Sequence, residues 1–169
     1  KAAGTFTSNV VKAAPVLWDM EVVENSPFAQ AVVVNSGIAN ACTGKIGYGY
    51  CLETAEAVSE ALHIPKESVL VASTGVIGMQ LKMDKLKAGV GKLAAAKEAT
   101  LEAGHQAAKA IMTTDTVSKE VAVQFDVDGV TVTVGGMCKG SGMIHPNMCT
   151  MLGFVTTDIA ISKELLTEA

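Results

Sequence analysis

The sequence predicts a layered α/β protein, and three observations carry that expectation. Twice within the first half, a β-branched run gives way to a small-residue segment and then to helical spacing, the strand, loop, helix order of layered folds. Asp128-Gly129 lies between two runs of alternating polarity, the strongest short signal for a hairpin because a type I′ turn needs positive φ at both central positions. Apolar residues make up 49% of the sequence but Phe, Trp and Tyr only 4%, so the core must be filled by Val, Ala, Leu, Ile and Met. The length of 169 residues suits one domain, able to bury roughly 70% of its unfolded surface. No Pro/Ser-rich linker divides it, so residues 1–169 read as one domain or a large part of one.

In order, Val32-Val33-Val34 predicts the first strand and SGIANACTGKIGYGY a loop after it. CLETAEAVSEALH predicts a helix, with Leu52, Ala55, Val58, Ala61 and Leu62 at helical spacing and Pro65 ending it. ESVLVAST reads as a second strand running into a glycine turn, STGVIG. Ala-rich amphipathic patterns predict helices over residues 83–96 and 101–112, with a weak break near Thr100. KEVAVQFDV and VTVTV form the hairpin arms, with Val121, Val123, Phe125 and Val127 on one face, and TMLGFVTTD resumes a strand.

The composition excludes several classes. Thirteen basic against 17 acidic residues give a net charge of −4 with no basic run, which argues against nucleic acid. No apolar stretch nears the ~20 residues that span a bilayer, and no signal peptide pattern appears, so a cytoplasmic protein without a membrane partner is expected. Cys42, Cys51, Cys138 and Cys149 lack CxxC spacing, and His63, His105 and His145 form no ligand pattern with them, so reduced thiols and no metal are expected. Gly44-Lys45 lacks the upstream glycine of a phosphate loop, and Gly47 and Gly49 lack the third glycine of the dinucleotide fingerprint. Both read as turns at strand ends.

One stretch fits neither core nor ordinary loop. KGSGMIHPNMCTMLGFVTTD sets Cys149-Thr150 between a Gly, Pro and Met-rich segment and an apolar run. A cut before Thr150 would create an α-amine, with an ordinary pKa of roughly 8, beside its own hydroxyl, so the nucleophile would carry its own base. The plainer reading, a β-branched residue starting a strand, stands beside it.

KGSGMIHPNMCTML resembles the self-cleavage segment of the ornithine acetyltransferase family, the bifunctional glutamate N-acetyltransferases of arginine biosynthesis. GTFTSNVVKAAPV, AVVVNSGIANACTG, VLVASTGVIG and IMTTDT match it in order and together cover nearly the whole chain. The resemblance implies the layered α/β fold of that family, with a mixed sheet. It also implies cleavage into an α chain, here about residues 1–149, and a β chain beginning at Thr150, of which residues 150–169 are present. A departure falls at the cut: the family usually has Ala where this chain has Cys149, a slightly larger residue that leaves attack on its own carbonyl open.

By the same resemblance Thr150 is the nucleophile, Thr74 and Gly75 form the oxyanion hole, and Lys139 and Thr113 contact substrate. Read without it, Thr74-Gly75 is a simple turn, Lys139 a solvated loop lysine and Thr113 the end of a helix. His145 lies in the reactive loop, but an N-terminal amine makes a histidine base unnecessary. The implied reaction is ping-pong transfer of acetyl from N-acetylornithine to glutamate, with acetyl-CoA a donor in some members, no cofactor, and an assembly of two α and two β chains. A related self-cleaving aminopeptidase or amidase, and a noncatalytic module whose GSG loop holds an anion, remain as alternatives.

Overall fold

A computed structural model describes residues 1–141 and 151–169. Helix α1 (Ala14–Asn25) leads into strand β1 (Ala31–Ile38), helix α2 (Gly44–Leu62), strand β2 (Val69–Val76), and helices α3 (Met83–Ala96) and α4 (Leu101–Ala110). Strands β3 (Lys119–Val127), β4 (Val130–Lys139) and β5 (Leu152–Thr157) and helix α5 (Lys163–Glu168) follow. The α/β class holds, with parallel and antiparallel pairing in separate sheets. β1 and β2 pair in parallel across the α2 crossover, from Ala31 opposite Val69 to Ile38 opposite Val76. β3, β4 and β5 form an antiparallel sheet in that order.

Strand β2 is the centre of the core. One of its edges pairs with β1, and the other is closed by side chains of α1: Trp18 Nε1–H donates to the Val69 carbonyl at 2.8 Å, and the Val71 N–H donates to Asp19 Oδ1 at 2.8 Å. Trp18, Val22, Cys51, Ala55, Val58, Val69, Val71 and Val90 pack into one cluster, so α1, α2 and α3 all bury against this strand pair or against each other. Helix α1 begins with Pro15 in its first turn, where the missing N–H costs nothing. Burial pushes the Cys51 thiol up to about 12, with Asp19 adding to the shift, which makes it a packing residue rather than a reactive one.

Several expectations need correcting. α2 begins at Gly44, seven residues before the predicted start, so Gly47 and Gly49 are helical rather than turns. The cause is local: Asn40, fully buried at φ 46°, donates through Nδ2 to the Gly47 carbonyl at 2.9 Å and accepts from Thr43 Oγ1 at 2.8 Å. A Cβ on Gly47 would lie 1.8 Å from Thr43 Oγ1. α4 stops at Ala110 rather than residue 112. Thr74 and Gly75, read without the resemblance as a turn, lie inside β2. The hairpin is as expected, with Asp128 at φ 50° and Gly129 at φ 80°. Val121, Val123, Phe125 and Val127 share a face, but among the described residues that face is uncovered, Val121 being 68% exposed.

Asp19 generates a test. Burial raises its carboxyl to about 7 against the opposing Val71 hydrogen bond, so the folded state favours the protonated acid. That preference stabilises the fold fully below the ordinary value of 3.8 and is lost as pH rises through about 7. Asp19→Asn keeps an oxygen for Val71 and removes the ionisation. The parent's denaturation midpoint should fall between about pH 4 and pH 7 while the variant's changes less; superimposable pH profiles would contradict this.

Candidate active site

Three stretches far apart in sequence meet at the ends of β2 and β4. The first is Thr74-Gly75, near the end of β2. Gly75 sits opposite Gly37 in the register, at φ +133°, and a Cβ there would lie 2.3 Å from the Gly37 carbonyl carbon. Only glycine fits, because the conformation and the approaching backbone both exclude a side chain. Thr74 is 3% exposed.

The second stretch is the end of β4. Lys139 is 2% exposed, and its Nζ donates to Thr74 Oγ1 at 3.2 Å across 65 residues of sequence. The solvated-loop reading of Lys139 is therefore wrong. Among the described residues no carboxylate forms an ion pair with this ammonium, which is unusual for a buried lysine.

The third is the turn after α4, joined to the parallel sheet where Ser36 Oγ donates to the Ala110 carbonyl at 2.9 Å. Within it Asp115, whose side chain is 2% exposed, accepts from the Gly140 N–H at 2.8 Å, from Lys119 Nζ at 2.8 Å and from the Thr113 N–H at 3.4 Å. Burial alone would raise its carboxyl, but the hydrogen bonds from Lys119, Gly140 and Thr113 prevail and leave it at about 2. Thr113 is exposed at the rim, tied to Lys139 through Asp115 and Gly140.

The structure thus brings Thr74, Gly75 and Lys139 together and links Thr113 to them. Thr150, Cys149 and His145 lie outside the described residues. Leu152, two positions past Thr150, pairs with Lys139 as β5 begins. Sequence reasoning placed Asp115 only as a neighbour of the Thr113 contact, without a role of its own, and missed Asn40. The MTTDT motif contains the first, but nothing in its composition pointed to Gly140.

Asp115→Ala should leave the half-buried Gly140 N–H without its acceptor, at a cost of about 1 kcal/mol in unfolding free energy. Its contribution is present above the ordinary carboxylate range and fades as pH falls through about 2, so the parent and variant curves should converge in strong acid. Faster hydrogen exchange at the Gly140 amide would locate the loss, whereas unchanged exchange would show the carboxylate to be dispensable there.

The sequence model of the ArgJ family matches residues 1–169. The arginine biosynthesis bifunctional protein ArgJ of Symbiobacterium thermophilum is 54% identical over 168 residues, covering 99% of this chain and 41% of the relative. The chain therefore spans about two fifths of that protein's length. The crystal structure of the arginine biosynthesis bifunctional protein ArgJ from Bacillus halodurans superposes with a TM-score of 0.81 at 47% identity, covering 89% of this chain and 76% of that one. The ornithine acetyltransferase of Mycobacterium tuberculosis, solved in complex with ornithine, superposes at 0.73 with 44% identity, covering 86% and 76%. A match over the full 169 residues, a shared fold and this degree of identity establish that the chain belongs to the ArgJ family.

Proposed function

We propose that the chain supplies most of the active site of an acetyltransferase that moves acetyl from N-acetylornithine to glutamate through an acetyl-Thr150 intermediate. The observation that carries this reading is the buried contact between Lys139 and Thr74, which joins two motifs assigned separately to substrate binding and oxyanion stabilisation. In this reading the chain is cut between Cys149 and Thr150, the β chain is its partner, and two α and two β chains assemble as a cytoplasmic enzyme. The acetyl group rides on threonine, so the reaction requires no metal or organic cofactor.

The freed α-amine of Thr150 takes the proton of its own hydroxyl as Oγ attacks the acetyl carbonyl carbon of N-acetylornithine. Negative charge develops on the carbonyl oxygen, where the Thr74 hydroxyl and the Gly75 N–H donate to it. A donor of this kind is typically worth about 3 kcal/mol in the transition state. The C–N bond breaks and ornithine leaves with the proton; the glutamate amine then attacks the acetyl-threonine ester, the C–O bond to Oγ breaks, and the proton lost by the glutamate amine returns to Oγ through the α-amine, restoring the threonine. Lys139 has three donors, so beyond the one given to Thr74 it can hold the α-carboxylate common to both substrates, with Thr113 at the rim.

Two experiments on the full-length precursor test this. Intact mass should show a break between Cys149 and Thr150 in the parent and a single chain in Thr150→Ala; cleavage of that variant at the same bond would defeat the mechanism. N-acetylornithine added without glutamate should then place one acetyl group on the first residue of the β chain. Acetyl on a lysine or on Cys138 would indicate another nucleophile, and no label at all would favour an anion-binding module.

A further inference from the structure

The geometry points to Lys139 as the positioning residue of Thr74: by donating to Thr74 Oγ1, its ammonium directs the threonine proton outward as an oxyanion donor, independently of any substrate carboxylate. The inference rests on the reading of Thr74 as part of the oxyanion hole.

A lysine ammonium has three N–H donors and no lone pair, so in the 3.2 Å contact Thr74 Oγ1 must accept. A threonine hydroxyl that accepts still owns one proton, and the positive charge beside its oxygen turns that proton away. An unaided hydroxyl rotor would share its proton among any acceptors in reach, including backbone carbonyls. Here that freedom is reduced before a substrate arrives, which is preorganisation in the sense that matters for a developing charge.

Burial strengthens the effect. Lys139 is 2% and Thr74 3% exposed, so water competes little for either group, and among the described residues no carboxylate neutralises the ammonium. The contact is also held from both sides. Thr74 lies within β2, whose register with β1 runs past it to Val76, while Gly140, next to Lys139, is held by Asp115. A lysine serving substrate carboxylates alone would not need to spend a donor on a buried hydroxyl of a neighbouring sheet.

The test uses an acetyl donor without a carboxylate, 4-nitrophenyl acetate, and follows acetylation of Thr150 by mass and by nitrophenolate release in the self-cleaved full-length protein. A variant that stays uncut is produced as two pieces divided between Cys149 and Thr150. Thr74→Val should slow acetylation about 100-fold. Lys139→Met should slow it about 10-fold or more, and the double variant should be no slower than Thr74→Val alone, since the lysine acts through a hydroxyl that is already gone. Lys139→Arg, which keeps the charge and the donors, should recover part of the rate, and this separates a lost donor from general damage to the fold.

Parent-like acetylation in Lys139→Met would confine Lys139 to carboxylate binding and overturn the inference. So would a double variant whose loss is the product of the two single losses. Both results leave the acetyl-threonine reading standing. A parent protein that takes no acetyl at Thr150 from either donor overturns that reading, and this inference with it.

Discussion

Strand β2 is the constraint on which the rest depends, because both of its edges must be satisfied before it can present anything. β1 satisfies one edge over eight register pairs. The other is closed by two adjacent side chains of α1, with Trp18 taking a carbonyl and Asp19 an N–H two residues further along. An open edge would leave buried polar groups unpaired at a cost comparable to a lost hydrogen bond each. A helix that offers one donor and one acceptor at the spacing of a strand covers the first part of that edge, at Val69 and Val71. With its edges fixed, β2 can hold Gly75 against Gly37 and keep Thr74 in place.

The charged groups around this strand fall into two kinds of solution. Asp115, its side chain enclosed among donors, stays ionised, whereas Asp19, half-buried with one backbone donor, is driven toward its neutral form. The first ties the turn after α4 to the end of β4, and the second ties α1 to β2. Lys139 matches neither, since its described partner is a neutral hydroxyl. Among the described residues this buried cation has no carboxylate beside it, an arrangement that costs stability and that an apolar residue would avoid.

Much of this was legible in the sequence, and the misses have physical causes. The Val-rich runs announced β1 and β2, and Asp128-Gly129 announced the hairpin, because these signals are local. The start of α2 was hidden by Gly44, Gly47 and Gly49, which weigh against helix until Asn40 and Thr43 are seen to require the absence of a side chain at Gly47. α1 was not anticipated although Pro15 in its first turn was a usable signal. The motifs located Thr74, Gly75, Thr113 and Lys139 but not their relations. Burial of Lys139 runs against the ordinary fate of lysine, and Asp115 acquires meaning only beside Gly140, 25 residues away.

The separation of 65 residues between Thr74 and Lys139 also bears on the order in which the molecule is made. α1, β1, α2, β2 and α3 form the apolar cluster from residues that precede position 91, and the hairpin arms find each other across a two-residue turn. Both parts can form early from their own sequence, at synthesis rates of about 5–20 residues per second. The site itself cannot, because it is built where the two parts dock, and loop closure over such a span is the slow, late kind of event. A polypeptide still emerging from the ribosome would thus already possess its scaffold while lacking the juxtaposition of lysine and threonine. The contact between Lys139 and Thr74 is deferred by topology until residue 139 has been made and docked.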